Sequence, residues 1–448
     1  MQNQGHLLRV LGLAFGLAAV VGSVIGQGIL RSPGIVAEAS GSGLVIIGLW
    51  VLGAAISIVS AMPFAELGSA IPKAGGPYAY AVHAFGEKAG VAIAFSLLIA
   101  FITAEAQICF VVGEFLFRLG VGEGRLSPGV LALGALVLFC AVNASGTRVS
   151  GASQVVLSTL KGVVLLALVI VFFANPGSPA QEQTAAAVGG WLPFATAMLL
   201  IISTYNGWAD LVVYGEEIEN PGRSIPRAMF GGIIGVAMLY LLVNLALLHV
   251  LTPAGMAGSD FAAADAAGQV FGARGDFVLT AFGVLSVGAI CNLALMSTTR
   301  VAYAVARAGI LPQTFAKVGR RGTPIRAMLL VAGLSAAFIA SGTYLALSSA
   351  AVSINQFNLI VVSVCAIVLR RREPELPRPY RMPLFPLMIG LGLVVNVALL
   401  AVFFAENPLY GLSGFALVGL LWGGYLLLAR VTPHELASEE QAEWPSES

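Results

Sequence analysis

The fold is decided by the stretch Gly22-Ser23-Val24-Ile25-Gly26-Gln27-Gly28, which lies inside an apolar run at residues 10–30. Three glycines within seven residues are costly in a continuous helix, because glycine loses more backbone freedom on folding than any other residue. A second stretch, Ser203-Thr204-Tyr205-Asn206-Gly207-Trp208-Ala209-Asp210, lies at a comparable depth in another apolar run. Both stretches therefore predict helices that are interrupted near their middle.

Around these stretches, the chain has the composition of a protein embedded in a membrane. Of its 448 residues, 58% are hydrophobic and 10% are charged, and the net charge is +1. The mean hydropathy is +0.91. An ordinary soluble domain has roughly 25% charged residues, so the composition excludes a soluble enzyme and a disordered chain. It also excludes a nucleic-acid binder, which needs a basic surface.

Long runs without Asp, Glu, Lys or Arg recur along the whole chain. About 20 apolar residues in a helix cross a hydrocarbon layer of ~30 Å, and the runs lack the alternation of a membrane β-barrel. The eleven runs are 10–30, 39–65, 89–104, 126–147, 162–181, 183–209, 228–259, 277–299, 327–369, 382–405 and 407–429. The run at 327–369 is too long for one helix and contains Ser341-Gly342-Thr343, a predicted turn. The sequence thus predicts an all-α polytopic membrane protein with 12 transmembrane helices.

The distribution of basic residues predicts the orientation. With the N-terminus inside, 17 Lys and Arg residues fall on the inner side and 4 on the outer side, as the positive-inside rule requires. Both termini are therefore expected in the cytoplasm and the chain in the inner membrane. The predicted parts are a cytoplasmic N-terminus at 1–8, a first repeat of helices 1–5 at 9–174, a second repeat of helices 6–10 at 190–370, helices 11–12 at 381–430 and a cytoplasmic acidic tail at 431–448.

The two interrupted helices lie five spans apart and cross the bilayer in opposite directions. Paired breaks of this kind are typical of transporters built from inverted repeats. Free N–H groups at the start of a half-helix suit a carboxylate, and free carbonyl groups at the end of another suit an ammonium group. Together they predict a site for an amino acid zwitterion. The alternative is that the glycines only allow close packing between helices.

Charged residues inside the spans are the next candidates for function, because burying a charge in lipid costs at least ~2.5–3.5 kcal/mol. Lys161 in helix 5 is expected either to replace a sodium ion, bridging helix 1 carbonyls to helix 8, or to pair with Glu105. Glu105 is a candidate proton carrier or a structural partner. Asp210 is a candidate for lining the transport path or recognising a positive group. Arg300 lies near the inner end of helix 8, where its side chain can extend to the membrane surface.

Other residue types in the spans suggest further roles. Tyr205 and Trp208 lie in the second break, where an aromatic side chain can close over a substrate. Asn292 in helix 8 contributes polar atoms to the bundle or only an interhelical hydrogen bond. The cysteines at 109, 140, 291 and 365 are far apart in the sequence and are interpreted as buried, inert thiols. No metal, cofactor or catalytic grouping is predicted, so an enzyme is disfavoured.

At these residues, the chain resembles the amino acid–polyamine–organocation superfamily, and more narrowly its L-type amino acid transporter branch and bacterial relatives. The resemblance covers roughly residues 8–430. It rests on the glycine-rich stretch at 22–34, on 65–80 with Ile71-Pro72-Lys73-Ala74-Gly75-Gly76-Pro77-Tyr78, and on Tyr205-Asn206-Gly207-Trp208 followed by 216–226. The resemblance implies a five-plus-five inverted-repeat fold of the leucine-transporter type with helices 1 and 6 broken.

The resemblance also implies roles for single residues. It places the substrate carboxylate at the amides around Val24, Gln27 and Gly28, and Tyr205 over the site. The amino group is placed near the carbonyls around Ser203, Thr204 and Asn206. It matches Lys161 to a helix 5 lysine that replaces sodium. The full predicted substrate site is Ser23, Val24, Gly26, Gln27, Gly28, Ser203, Thr204, Tyr205, Asn206, Gly207, Trp208 and Asn292.

The sequence departs from the family pattern at a few positions. Gln27 stands where a small residue is usual, and Asn206 stands where glycine is usual. Ala294 occupies the helix 8 position where a hydroxyl is expected near the lysine, so that Asn292 or Ser297 is the expected partner of Lys161.

The expected function is a sodium-independent permease that moves neutral L-amino acids by alternating access, as an exchanger or coupled to protons. The expected partners are the amino acid and the lipid bilayer, with no nucleic acid and no obligatory protein partner, which is compatible with a monomer. The alternatives are a transporter of cationic amino acids or polyamines, a membrane sensor that binds an amino acid without moving it, and a sodium symporter.

Overall fold

The computed structural model describes residues 7–26, 28–122, 125–177, 190–259, 261–342, 344–406 and 408–431. Within this part of the chain the structure is helical and contains no β-strand. Its α-helices are α1 (Leu13–Val24), α2 (Gly28–Ser40), α3 (Gly43–Ala70), α4 (Pro77–Phe85), α5 (Glu87–Arg118), α6 (Pro128–Ala144), α7 (Thr147–Ala174), α8 (Trp191–Thr204), α9 (Pro221–Met256), α10 (Ala262–Phe271), α11 (Gly275–Arg307), α12 (Ile325–Ser341), α13 (Tyr344–Arg372), α14 (Phe385–Glu406) and α15 (Pro408–Val431). Short 3-10 helices cover Trp208–Val213, Gly272–Arg274 and Gln313–Ala316.

The lengths of these helices are those of membrane spans. Nine helical segments of the described residues are long and apolar enough to cross a membrane. A tenth crossing results if α1 and α2, which meet at 48°, are counted as one broken span. Two shorter apolar helices, α6 and α12, have 17 residues each. The chain is therefore an all-α, multi-pass membrane protein.

The predicted turn after residue 340 is confirmed. The helix α12 ends at Ser341, and Gly342 caps it with a φ of 69°, a conformation that glycine adopts without steric cost. Residues 262–271 belong to no predicted span, yet they form α10. This short helix buries Ala262, Ala263, Ala266 and Ala267 on one face, and an all-alanine face is too small to stand out as an apolar run.

The interior of the bundle holds both broken helices in place. The helix α1 packs against α7 and α9, and α5 packs along α11. Trp50 of α3, Tyr240 of α9 and Tyr205, which follows α8, form an aromatic cluster with ring centroids 5.1 to 5.8 Å apart. This cluster fixes the end of α8 against α3 and α9.

Candidate functional site

The first break lies where the sequence predicts it. The helix α1 ends at Val24, Ile25 is extended with φ −69° and ψ 101°, and α2 begins at Gly28. Because a helix leaves its last carbonyl groups and its first N–H groups without intrahelical partners, this break places inside the bundle polar backbone groups that need partners from elsewhere. Gln27 lies outside the described residues.

The second break is also at its predicted position. The helix α8 ends at Thr204, and the chain continues through Asn206 and Gly207 into the 3-10 helix Trp208–Val213. Gly207 has a φ of 120°, which a residue with a Cβ atom rarely adopts. Glycine is therefore needed at this turn.

The two breaks contact each other directly. Ser23 Oγ lies 2.9 Å from the carbonyl oxygen of Gly207. The hydroxyl of Tyr240 lies 2.8 Å from the carbonyl oxygen of Val24 and 3.2 Å from that of Thr204. A Cβ atom added to Gly28 would stand only 2.7 Å from Thr204 Oγ1, so the start of α2 approaches the end of α8 as closely as glycine allows.

A cavity of about 310 Å³, called the main cavity below, lies beside the paired breaks. Its wall includes Ser23 from the first break and Ser203, Asn206, Gly207 and Asp210 from the second. Helices α5, α11 and α13 complete the wall with Ala100, Phe101, Ala104, Gln107, Ile108, Ile290, Ala294, Ala351, Val352 and Asn355. The cavity combines apolar surface with a few polar groups, as small-molecule sites usually do.

A smaller cavity of about 80 Å³ adjoins the first. The two cavities share four residues of their walls, Ser203, Asn206, Val352 and Asn355. The remaining wall of the small cavity combines four polar residues, Ser57, Ser60, Gln356 and Asn396, with five apolar ones.

Lys161 links the first break to α11. Its Nζ atom donates hydrogen bonds to the carbonyl oxygens of Gly22 at 2.6 Å and Ser286 at 3.1 Å, and its side chain is fully buried. The expected contacts of Lys161 with predicted helices 1 and 8, which correspond to α1 and α11, are thus present. The alternative pairing with Glu105 does not occur. The prediction that Asn292 or Ser297 of α11 is the partner of Lys161 is wrong as well. Asn292 forms hydrogen bonds with other side chains, and Ser297 forms one with Tyr214.

The second acidic candidate, Asp210, lies in the wall of the main cavity. No residue in the described part of the chain forms an ion pair or hydrogen bond with its carboxylate. Glu105 is fully buried and does not line the cavity; its Oε1 atom accepts from the thiols of Cys109 and Cys291. These two cysteines are far apart in the sequence, yet their sulfur atoms lie 3.0 Å apart.

Several other predicted site residues are turned away from the cavity. Tyr205 is 1% exposed, and its hydroxyl donates to the carbonyl oxygen of Trp50 at 3.2 Å. The side chain of Trp208 packs edge-on against Phe64 and faces the small cavity. Asn292 is buried and bonded to Gln154 and Asn143.

The backbone candidates divide into engaged and accessible groups. The Val24 carbonyl is held by Tyr240, whereas Gly26 and Gly28 are partly exposed, although neither glycine is among the residues that line the two cavities. The contribution of α5 and α13 to the cavity wall was not predicted. Asn355, a polar residue in the middle of an apolar run, was the signal available in the sequence.

Ion pairs tie the bundle together where α3, α11 and α13 end. Arg300 and Glu217 are joined by contacts of 2.8 and 3.0 Å, with both side chains at most 1% exposed. Arg300 also donates to Thr147 Oγ1 at 3.1 Å. The expectation that Arg300 extends to the membrane surface is therefore wrong, because a buried carboxylate neutralises it in the interior.

Two further pairs lie at the same end. Arg370 Nε donates to Glu66 Oε1 at 2.7 Å, and Arg307 binds both oxygens of Glu216. Burial alone would raise the pKa of the Glu216 carboxyl, but the hydrogen bonds and charge of Arg307 outweigh it and hold the pKa below its ordinary value.

Comparison with known proteins identifies the family. The model of a family described as amino acid permease matches residues 11–423. The serine/threonine exchanger SteT of Bacillus subtilis is 28% identical over 85% of this chain and 88% of its own length. The mouse Asc-type amino acid transporter 1 is 30% identical over 93% of this chain and 80% of its own length.

A third relative, the rat large neutral amino acids transporter small subunit 2, is 29% identical over 85% of this chain and 74% of its own length. These relatives are transporters rather than enzymes. Together with the family match over nearly all the spans, they show that the chain belongs to the amino acid permease family.

Proposed function

We propose that this permease is a sodium-independent exchanger of neutral L-amino acids that works by alternating access. Serine and threonine, and large neutral amino acids, appear in the names of similar proteins. The Ser203 and Asn206 side chains in the cavity wall are uncharged and polar. Such a wall favours a zwitterion whose own side chain carries no charge.

The backbone at the breaks supplies groups for both ends of a zwitterion. The first N–H groups of α2, starting at Gly28, suit the carboxylate because they lack intrahelical partners and lie at the positive end of the helix dipole. The last carbonyl groups of α8, around Ser203 and Thr204, suit the ammonium group. Ser23 holds the two breaks together through Gly207, so that one substrate contacts both.

The contacts of Lys161 carry the proposal. An ammonium group that spans the carbonyl oxygens of Gly22 and Ser286 performs the linking task that a bound sodium ion would otherwise perform between α1 and α11. Because these carbonyls carry no net charge, the link depends only on the position of the end of α1. A tilt of α1 during transport then breaks and reforms it without a sodium ion.

The architecture that we propose for this cycle has twelve spans. The broken pair α1 and α2 and the shorter helices α6 and α12 add to the nine long spans. Residues 9–174 and 190–370 form two inverted repeats, and 381–430 add two helices. The chain lies in the inner membrane with both termini in the cytoplasm, where the ion pairs of Glu66, Glu216 and Glu217 keep the inner end closed.

A second candidate function is favoured by Asp210. Its carboxylate faces the main cavity and has no hydrogen-bond or ion-pair partner among the residues that the structure describes, and an unpaired acid in a cavity wall attracts a cationic side chain. Transport of cationic amino acids or polyamines is therefore the alternative.

The test is uptake by the purified chain in liposomes. Vesicles preloaded with serine, leucine or lysine are placed in radioactive serine, with either sodium or choline as the external cation. The proposal expects uptake at the same rate in both buffers and acceleration by internal serine or leucine. Loss of uptake in choline would refute the sodium-independent mechanism. Acceleration by lysine alone would favour the second candidate, and binding without uptake would indicate a sensor.

A further inference from the structure

A group of metal-binding side chains lies next to the main cavity but outside it. Glu105 and Cys109 are four residues apart on α5, and Cys291 faces them from α11. Their three ligand atoms lie within 4.8 Å of one another, and all three residues are fully buried. The transport mechanism proposed above uses none of them.

One atom of this group is left without a partner. Glu105 Oε1 lies 3.3 Å from Cys109 Sγ and 3.6 Å from Cys291 Sγ. Glu105 Oε2 is buried and has no hydrogen-bond partner among the described residues. A buried polar atom without a partner costs about 1–3 kcal/mol, so the carboxylate is under-coordinated as it stands.

The distances between the three ligand atoms fit a zinc ion. Zinc binds thiolate sulfur at about 2.3 Å and carboxylate oxygen at about 2.0–2.2 Å, with tetrahedral geometry. From these lengths, neighbouring sulfur and oxygen ligands lie about 3.5 Å apart and two sulfur ligands about 3.8 Å apart. The two sulfur–oxygen distances already agree. The sulfur–sulfur distance of 3.0 Å needs to open by less than about 1 Å, which small side-chain rotations supply.

The charges also fit a divalent ion. Two of the three acidic groups release their protons and neutralise the ion's charge of two, and the third stays protonated, so that the occupied site carries no net charge. This matters because an uncompensated charge in the interior costs many kcal/mol. Thiolate ligands select zinc and similar soft ions over magnesium or calcium. We therefore propose that Glu105, Cys109 and Cys291 bind one Zn²⁺ ion or a similar thiophilic divalent ion.

Such an ion would join two walls of the main cavity. Ala104 and Ile108 of α5 lie beside the proposed ligands, and so do Ile290 and Ala294 of α11; all four line the cavity. The ion would fix the spacing of α5 and α11 at the depth of the substrate. This role is independent of the substrate and of the sodium-independent mechanism, so each proposal can fail separately.

The experiment measures metal binding by the full chain in detergent. The protein is reduced, stripped with a chelator, and titrated with Cd²⁺, whose bonds to thiolates absorb in the ultraviolet; zinc content is measured separately by mass spectrometry. We expect one ion per chain. Cys109→Ser and Cys291→Ser should abolish the absorption, and Glu105→Gln should weaken binding by at least about tenfold. Cys365→Ser, which removes a buried thiol on α13, is the matched control and should bind normally.

A measurement on the unaltered chain covers the case in which a serine variant fails to fold. Metal should protect Cys109 and Cys291 from alkylation, with Cys140 and Cys365 as internal references. Binding that survives both serine substitutions would overturn the proposal. So would a reduced chain that binds no Cd²⁺, or one whose two thiols react equally fast with and without metal.

Discussion

Lys161 of α7 and Arg300 of α11 are both cationic side chains buried inside the helix bundle, yet they are held in opposite ways. Arg300 is neutralised by the carboxylate of Glu217 through two short contacts. Within the described part of the chain, Lys161 donates hydrogen bonds only to the uncharged carbonyls of Gly22 and Ser286. A pair of opposite charges in a dry interior is hard to separate, whereas a link to carbonyls lasts only while the broken helix holds them in position. The Arg300–Glu217 pair therefore suits a contact that stays in place, and the link from Lys161 to the two carbonyls suits a contact that can break when α1 moves.

Arg300→Met is expected to give the largest loss of stability. It leaves the Glu217 carboxylate buried without its partner, and breaking a buried pair from one side costs about 3–5 kcal/mol. Reversible unfolding in mixed micelles measures this loss. The double variant Arg300→Met with Glu217→Gln should recover part of it, and Arg326→Met, at an exposed position, should cost less than about 0.5 kcal/mol. An equal loss in the single and double variants would contradict the pairing.

Lys161→Met sharpens the contrast, because the same replacement should now affect transport more than stability. Two carbonyls lose a donor, at about 1–3 kcal/mol each, but a buried charge without a carboxylate partner is removed as well. We expect a smaller loss of stability than in Arg300→Met and a fall in exchange of more than about tenfold, equal to ~1.4 kcal/mol.

Liposome exchange and unfolding on the same preparation of Lys161→Met give both numbers. Lys317→Met, at an exposed lysine, is the control. Normal exchange by Lys161→Met would remove the proposed role of the lysine.

Gly28→Ala tests the close approach of the two breaks without touching either cation. The added methyl group would stand 2.7 Å from Thr204 Oγ1, and such overpacking costs about 1–3 kcal/mol. Substrate affinity, measured by competition for uptake, should fall roughly tenfold. Gly162→Ala on α7 has open space around the new atom and should behave as the original chain does. Equal affinities in the two variants would place the substrate elsewhere.

Arg307→Gln should give the smallest effect, because Glu216 is only partly buried. The pKa of Glu216 is lowered in the folded chain. Its ion pair with Arg307 therefore stabilises the fold fully at pH values above the carboxyl pKa of the unfolded chain, and this contribution is lost as the pH falls through the lower pKa of the folded chain. Unfolding measured from pH 7 down to acid should show a smaller pH dependence in the variant. An unchanged pH profile would assign the acid sensitivity to other carboxylates.

The sequence predicts local features of the site better than long-range ones. The breaks near Gly22–Gly28 and Gly207 could be predicted because glycine spacing acts locally on the backbone. The importance of Lys161 could be predicted because a charged side chain in an apolar run is costly unless it has a partner or a role. The partner of Arg300 could not be found in this way, since Glu217 lies 83 residues away and becomes its neighbour only after the helices pack.

The direction in which the Tyr205 side chain points could not be predicted from the sequence either. Whether that ring faces the cavity or the aromatic cluster depends on the turn that follows Thr204, and a rotation of one residue exchanges the two. The meeting of Cys109 with Cys291 depends in the same way on the packing of α5 along α11. Residues distant in sequence gave no sign of this contact.

The small cavity beside the main one has a consequence for hydration. At about 80 Å³ it has room for two or three water molecules at roughly 30 Å³ each, and its serine, asparagine and glutamine side chains offer them partners. An amino acid that binds between the breaks, as proposed above, displaces water from the main cavity. Since Asn206 and Asn355 line both cavities, we expect the small cavity to take up water that is released from the main cavity.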